Sequence, residues 1–285
     1  MIYAADLHMH SNVSDGEHSP SRLVELAKEK GIEAMAVTDH DSVDGVAEAM
    51  DAGKRLGVKV IQGVELSADD CPNLHILGYG FDPAGVNSFL DGLQERRDAR
   101  KHRILAYLRG KGIVLDLGNV EKFSQGSSIG RPHFAAAMVE AGFVKNRDEA
   151  FARYLDTPEF RETDRGRPSA EVCVRKLKEA GGIVSLAHPG QIALACETLE
   201  ELVERLANCG LDAIECRYTT HTPEQTEEYL RLARKYHLQV TGGSDFHGER
   251  VRPEFPMTKL QLELGWLFRY SDGDIPFHSR KDFVK

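Results

Sequence analysis

The chain has 285 residues, 41% of them apolar and 28% charged, which suits one large α/β domain, or one domain with an insert, and argues against disorder. A formal net charge of −9 argues against a basic nucleic-acid coat and against stable binding of duplex DNA, but leaves room for a phosphate held through cations. Five cysteines (Cys71, Cys173, Cys196, Cys209 and Cys216) form no C-x-x-C pair, so neither a cysteine zinc site nor a disulfide framework is expected, and a reducing cytoplasm fits.

In chain order, seven β-branched or apolar runs read as strands: 3–10, 34–39, 58–66, 74–79, 183–187, 213–217 and 239–244. Most are separated by amphipathic helical patterns, which predicts a parallel βα arrangement. Leu23, Leu26 and Ala27 followed by Gly31 describe a helix with a glycine stop. Thr222-Pro223-Glu224-Gln225 is a helix start, with Thr as N-cap, Pro in the first turn and Gln at the third position. No basic segment leading into an apolar run, and no long apolar run, is found, so neither secretion nor membrane spanning is expected.

The stretch 83–168 breaks this rhythm. It reads as helices over 86–111, 131–141 and 147–154 with no strand, too long for a βα loop. The expected organisation is therefore a discontinuous barrel over 1–82 and 169–270, a helical insert or cap over 83–168, and a tail over 271–285 containing Asp272-Gly273-Asp274 and Ile275-Pro276.

The chemistry-bearing residues sit at the ends of these runs, where a barrel presents its active site. Alternation along a strand puts His8 and His10 on one face and Leu7 and Met9 on the other. The same i, i+2 spacing recurs in Asp245 and His247, and two such pairs favour metal ligation over buried, satisfied histidines. Glu65 closes the run Val60-Ile61-Gln62-Gly63-Val64, where a carboxylate is costly unless paired with a cation, and a glutamate can bridge two ions. His188 precedes Pro189, and His75 begins a strand, where a ligand and a satisfied strand histidine are equally good readings. Asp15, in Ser14-Asp15-Gly16, is by itself a turn aspartate. Arg96, Arg100 and Arg103 share one helical face, either a plain solvated face or a basic rim that Arg161, Arg165 and Arg167 extend. His221 stands just before the Thr222 cap, either a solvated loop histidine or a contact to a substrate phosphate.

His8-Met9-His10, Asp15-Gly16, Thr38-Asp39-His40, Gly63-Val64-Glu65, Ala187-His188-Pro189 and Gly243-Ser244-Asp245-Phe246-His247, in that order, resemble the motifs of the PHP (polymerase and histidinol phosphatase) family. Gly130-Arg131-Pro132-His133-Phe134 and Ala150-Phe151-Ala152-Arg153-Tyr154-Leu155 further resemble a branch of bacterial phosphoesterases acting on nucleoside 3',5'-bisphosphates and on the 5' ends of short RNAs. The chain departs from that branch at Glu159-Phe160-Arg161-Glu162-Thr163, where relatives carry a Pro-x-Tyr-Val-like segment.

The resemblance implies a distorted (β/α)7 barrel with an inserted helical cap and two or three divalent ions. It implies that His8, His10, Glu65 and Asp245 hold the first ion, that Glu65, His75 and His188 hold the second, and that Asp15, His40 and His247 hold the third. Nitrogen and oxygen donors without thiolate suit Mn²⁺ first, with Fe²⁺ or Zn²⁺ as alternatives. Asp6, Asp39 and Asp41 read as supports of these ligands or as turn residues. The implied catalytic residues are Glu65, Asp245 and His188, and a metal-activated hydroxide attacks phosphorus while metal-bound water or His188 protonates the leaving group. Arg131, His133 and His221 are the expected substrate contacts; an arginine fork suits phosphate, although Arg131-Pro132 taken alone is simply a helix start. The expected reaction is hydrolysis of the 3'-phosphate of a nucleoside bisphosphate such as pAp, with trimming of short RNA from its 5' end. The alternatives are a histidinol-phosphate phosphatase and a non-catalytic metal-binding module.

Overall fold

The computed structural model describes residues 1–123, 129–164, 166–194 and 197–271. Its first half of barrel runs β1 (Ile2–Asp6), α1 (Pro20–Glu29), β2 (Ala34–Val37), α2 (Val46–Leu56), β3 (Lys59–Ser67) and β4 (His75–Tyr79). A helical segment follows, with α3 (Pro83–Gly110), α4 (Leu117–Glu121), α5 (Arg131–Glu140), α6 (Arg147–Ala150), a π-helical turn (Phe151–Leu155) and α7 (Pro158–Asp164). The chain returns through α8 (Ala170–Glu179), β5 (Ile183–Leu186), α9 (Leu199–Asn208), β6 (Ala213–Tyr218), α10 (Pro223–Lys235), β7 (Gln239–Gly243), β8 (Leu260–Glu263) and α11 (Gly265–Ser271).

Local chemistry explains the helix boundaries. Ser19 caps α1 by accepting from the Arg22 N–H, with Pro20 in the first turn, and Gly31 at φ 71° takes the left-handed position that ends it. Thr222 and Gln225 form the reciprocal capping box that starts α10, again with a proline in the first turn.

The strands form one sheet in the order β7-β6-β5-β4-β3-β2-β1-β8. It is an eight-stranded, nearly closed barrel rather than the seven-stranded one expected. The added strand, β8, runs antiparallel to β1 from Ile2 to Ala5. Beyond it the chain after β1 turns to β7: Leu7 N–H donates to the Gly242 carbonyl at 3.1 Å, and Met9 bridges Phe246. The barrel therefore closes β1 on β7 at one end and on β8 at the other. α11 seals the β8 end by burying Leu267 and Phe268 with Ala5 and Leu262.

The parallel expectation fails at β4, which runs antiparallel to both β3 and β5. The connection over 68–74 is too short for a parallel crossover, so the chain turns straight back. This reversal brings the first residue of β4, His75, to the same barrel end as the last residues of its neighbours.

Two apolar clusters divide α3. Val86, Leu90 and Leu93 pack with the barrel residues Ile76, Val174 and Leu177. Ile104 and Leu108 pack with Phe134, Met138, Leu155 and Phe160 of the helical segment. Among the described residues no helix is long and apolar enough to cross a membrane, and Cys71, Cys173, Cys209 and Cys216 are free thiols. Residues 124–128, 165, 195–196 and 272–285 lie outside the described residues, so most of the expected tail does too.

Candidate metal centre

The Glu65 carboxylate, at the end of β3 and fully buried, is the hub of the site. Its Oε1 lies 2.9 Å from His75 Nδ1, 3.0 Å from His188 Nε2 and 3.3 Å from His8 Nε2. Its Oε2 lies 3.1 Å from both His10 Nε2 and His40 Nδ1. Asp245 Oδ1 stands 3.1 Å from His10 Nε2 and 3.4 Å from His8 Nε2. Asp15 reaches His247 Nε2 at 3.4 Å and His40 Nε2 at 3.8 Å.

All nine residues expected as ligands thus converge on one end of the barrel. Leu7 and Met9 point the other way into apolar clusters, which is what holds His8 and His10 inward. Within 4.8 Å, donor atoms group as His8, His10, Glu65 and Asp245; as His10, Asp15, His40 and His247; and as His40, Glu65 and His75.

These donors fit divalent cations. His8 Nε2, both ring nitrogens of His10, His40 Nδ1, Glu65 Oε2, His188 Nδ1 and His247 Nε2 are buried without a hydrogen-bond partner. Buried polar atoms are rarely left so. Two donors each about 2.1 Å from one ion lie about 3 Å apart, the spacing found here. The chemistry is hard-to-borderline: imidazole and carboxylate, with no thiolate.

Electrostatics agree. Burial works against the charge of Glu65 and Asp245, yet the histidines around each hold both carboxyls well below the usual carboxylate range. Burial likewise opposes charge on His10, but Asp245 and Glu65 together push it up to about 10. Burial dominates at His40, pushed down to about 3. A pocket that concentrates this much negative charge on imidazoles is built to receive cations.

Backbone strain concentrates at the same place. Five non-glycine residues in the described chain have positive φ, and Asp41 (51°), His188 (24°) and Asp245 (59°) are three of them. Asp6 and Asp39 support the site, as expected. Asp6 accepts from Ser244 N–H, Ser244 O–H and Thr258 N–H, and Asp39 accepts from Ser11 and Ser14.

A cleft of about 450 Å³ opens over Asp15, His40 and His75. Its walls carry Arg96, Arg97, Arg100 and Arg103 of α3, and Arg131 at the start of α5. Arg97 pairs with Asp41, and Arg131 donates to Asp156 at 2.6 Å. His133 accepts from the Gly130 N–H through Nδ1 at 2.9 Å, which leaves its Nε2 as the N–H donor; burial lowers its pKa and keeps it neutral. His221 stands behind Tyr218, with Nδ1 donating to the Cys216 carbonyl (3.2 Å) and Nε2 accepting from the Gly190 N–H (3.3 Å).

Besides Arg97 of the cleft wall, three residues that touch the candidate ligands carry no part in the sequence motifs. Glu215 contacts His8 Nδ1 with both oxygens at 3.2 Å, and Tyr218 O–H and Arg252 both donate to Asp245 Oδ2, at 2.8 and 3.1 Å. Glu215 had a signal, a carboxylate inside Ala213-Ile214-Glu215-Cys216, the same one that marked Glu65. Tyr218 and Arg252 had none.

A nearly closed α/β barrel with histidines and carboxylates gathered at one end, and with a basic cleft above them, defines a metal-dependent hydrolase of phosphate esters. Residues 6–142 match the PHP domain, and this chain belongs to the PHP family. It is 33% identical over 251 residues (86% of this chain, 94% of the relative) to phosphoribosyl 1,2-cyclic phosphate 1,2-diphosphodiesterase of Eggerthella lenta. It is 32% identical over 247 residues (85% and 84%) to the 5'-3' exoribonuclease Rnm of Escherichia coli. It is 31% identical over 246 residues (85% and 86%) to a 3',5'-nucleoside bisphosphate phosphatase of Chromobacterium violaceum. A solved structure from Bifidobacterium adolescentis, described as a candidate metal-dependent phosphoesterase, superposes with a TM-score of 0.74 at 30% identity, covering 93% of this chain and 94% of that one. The chain is a PHP-domain metal-dependent phosphoesterase.

Proposed function

We propose that this enzyme removes the 3'-phosphate from nucleoside 3',5'-bisphosphates of the pAp type, and that the same site trims short RNA from its 5' end. The observation that carries this reading is the cleft. Its floor holds Asp15, His40 and His75, and its wall is the arginine face of α3, a place for a second phosphate away from the one being cleaved. The named activities of the Chromobacterium and Escherichia relatives support it.

His8, His10, Glu65 and Asp245 would hold a first ion, Glu65, His75 and His188 a second, and Asp15, His40 and His247 a third, with Mn²⁺ the preferred metal. When bound, such ions supply Lewis acidity to phosphoryl oxygens and acidify water. The chain's own residues do the rest. Glu65 belongs to both of the first two sets, its Oε1 toward His75, His188 and His8 and its Oε2 toward His10 and His40. Arg131, steadied by Asp156 and by Phe151 beneath it (5.9 Å), offers its fork to the phosphate. His133 adds a neutral N–H donor beside it. α3 and the start of α5 wall the cleft with basic side chains.

The test is turnover by metal-stripped protein, with and without Mn²⁺, read as phosphate released from pAp and histidinol phosphate, as nucleotides released from a short 5'-phosphorylated RNA, and as the ring-opened ester formed from phosphoribosyl 1,2-cyclic phosphate. Mn²⁺-dependent turnover of pAp is the expected result, with the RNA second. Turnover confined to histidinol phosphate or to the cyclic ester overturns the substrate assignment. Silence on all four with metal bound makes the protein a non-catalytic module.

A further inference from the structure

Strand β6 contributes none of the candidate ligands, yet two of its side chains touch three of them. We infer that Glu215 and Tyr218 are positioning residues that set which atoms of His8, His188 and Asp245 face the metals. The inference rests on the ligand assignment above and goes beyond it.

Glu215 is fully buried. A carboxylate only accepts, so His8 Nδ1, 3.2 Å from both its oxygens, must carry the proton. That fixes the tautomer and turns the His8 Nε2 lone pair toward Glu65 and Asp245. Glu215 Oε2 also accepts the His188 backbone N–H at 2.7 Å. His188 sits at φ 24°, a conformation that persists only where surrounding contacts hold it. One carboxylate thus orients a ligand of the first ion and anchors a ligand of the second.

Tyr218 acts on the other side. Its O–H donates to Asp245 Oδ2 at 2.8 Å, which leaves Oδ1 facing His8 and His10. Asp245 is thereby presented to the metal through one oxygen.

A backbone irregularity makes both contacts possible. Residues three apart on a regular strand face opposite sides. The β6–β7 register shifts between Glu215, opposite Thr241, and Arg217, opposite Gly242. The extra residue restores the inward phase: Cys216 enters the outer apolar cluster, Arg217 is exposed, and Glu215 and Tyr218 both point into the barrel.

The experiment compares wild type, Glu215→Gln and Tyr218→Phe. Metal-stripped samples are first matched by thermal melting. Mn²⁺ affinity is then measured by calorimetric titration, and the visible absorption of Co²⁺ added in place of Mn²⁺ reports the coordination geometry. Glu215→Gln is expected to weaken the tightest Mn²⁺ site about 10–100-fold. Tyr218→Phe is expected to weaken it less but to alter the Co²⁺ spectrum, because Asp245 Oδ2 is then held by Arg252 alone and the carboxylate is free to turn. Both are expected to lower kcat more than they raise KM. A variant that melts like wild type, binds Mn²⁺ within twofold of it and shows its Co²⁺ spectrum overturns the role of that residue. Should Glu215→Gln fail to fold, Tyr218→Phe, which removes one hydroxyl, decides the matter for β6. A wild-type chain that takes up no Mn²⁺ would overturn the metal assignment itself, and this inference with it.

Discussion

The barrel and the helical segment hold their charged groups in opposite ways. In the barrel, Glu65, Asp245, His8 and His10 are buried, Glu65 on β3 and the others on the segments just past β1 and β7, with Leu7, Met9 and Phe246 packed on the far face. In the helical segment, arginines line an open cleft, and each is tied to a loop or a neighbour: Arg97 to Asp41, Arg131 to Asp156, Arg103 to the Thr163 carbonyl, Arg96 to the Gly166 carbonyl. Bond-breaking needs donor atoms held to within a fraction of an ångström, which a closed sheet provides. Recognition of an anion tolerates looser placement, which long side chains on helices provide. Chemistry and substrate choice should therefore be separable by mutation.

The largest expected effect is at the barrel. Asp245→Ala should cost about a thousandfold or more in kcat/KM, several kcal/mol of transition-state stabilisation, with a parallel fall in bound metal measured by elemental analysis. Full activity would refute its role as ligand. Next is packing beneath the site. A Cβ on Gly243 would lie 2.3 Å from His8 Cβ and 2.6 Å from His8 N, so Gly243→Ala should destabilise the metal-free protein by about 1–3 kcal/mol in denaturant titration. An unchanged midpoint would mean that the barrel end is less rigid than this comparison holds.

The helical segment should respond differently. Arg131→Ala should raise KM for pAp by roughly 10–100-fold, the range of a hydrogen bond to a charged group, and leave metal content unchanged. An equal effect on a simple phosphate ester would merge the two regions into one functional unit. The smallest effect lies outside both. Hydrogen bonds from Lys235 and Arg231 hold the exposed Glu200 carboxyl down to about 2. Its folded value lies below its ordinary one, so the stability it adds is present above pH 4.5 and is lost as pH falls through about 2. Glu200→Gln should lower Tm slightly at pH 7, by an amount that shrinks toward zero in acid; a constant difference would exclude the ion pair as its cause.

Much of the site was legible because its ligands are short-range patterns. The His8/His10 pair needs only the alternation of extended chain, and Glu65 and His188 mark the ends of apolar runs, whereas Asp245 lies beyond β7 at φ 59° and reaches the site by a turn. Arg96, Arg100 and Arg103 left two readings open, and the cleft decides for a face directed at the site. Glu215 carries the same local signal as Glu65, a carboxylate inside an apolar run. Tyr218 and Arg252 were not legible, because a tyrosine after a strand and an arginine in a loop say nothing about a carboxylate elsewhere in the chain.

By its own order of residues, the chain determined the alternation of strands and helices, the caps at Ser19 and Thr222, and the shared face of His8 and His10. All of these are local, since propensity, capping and periodicity act over a few residues. Tertiary structure alone decided the reversal of β4, the closing of β1 against β7 and β8, and the bulge that turns Glu215 and Tyr218 inward together. Those features are set by pairing between strands far apart in sequence, where the energy of closing the barrel end outweighs what any single strand prefers.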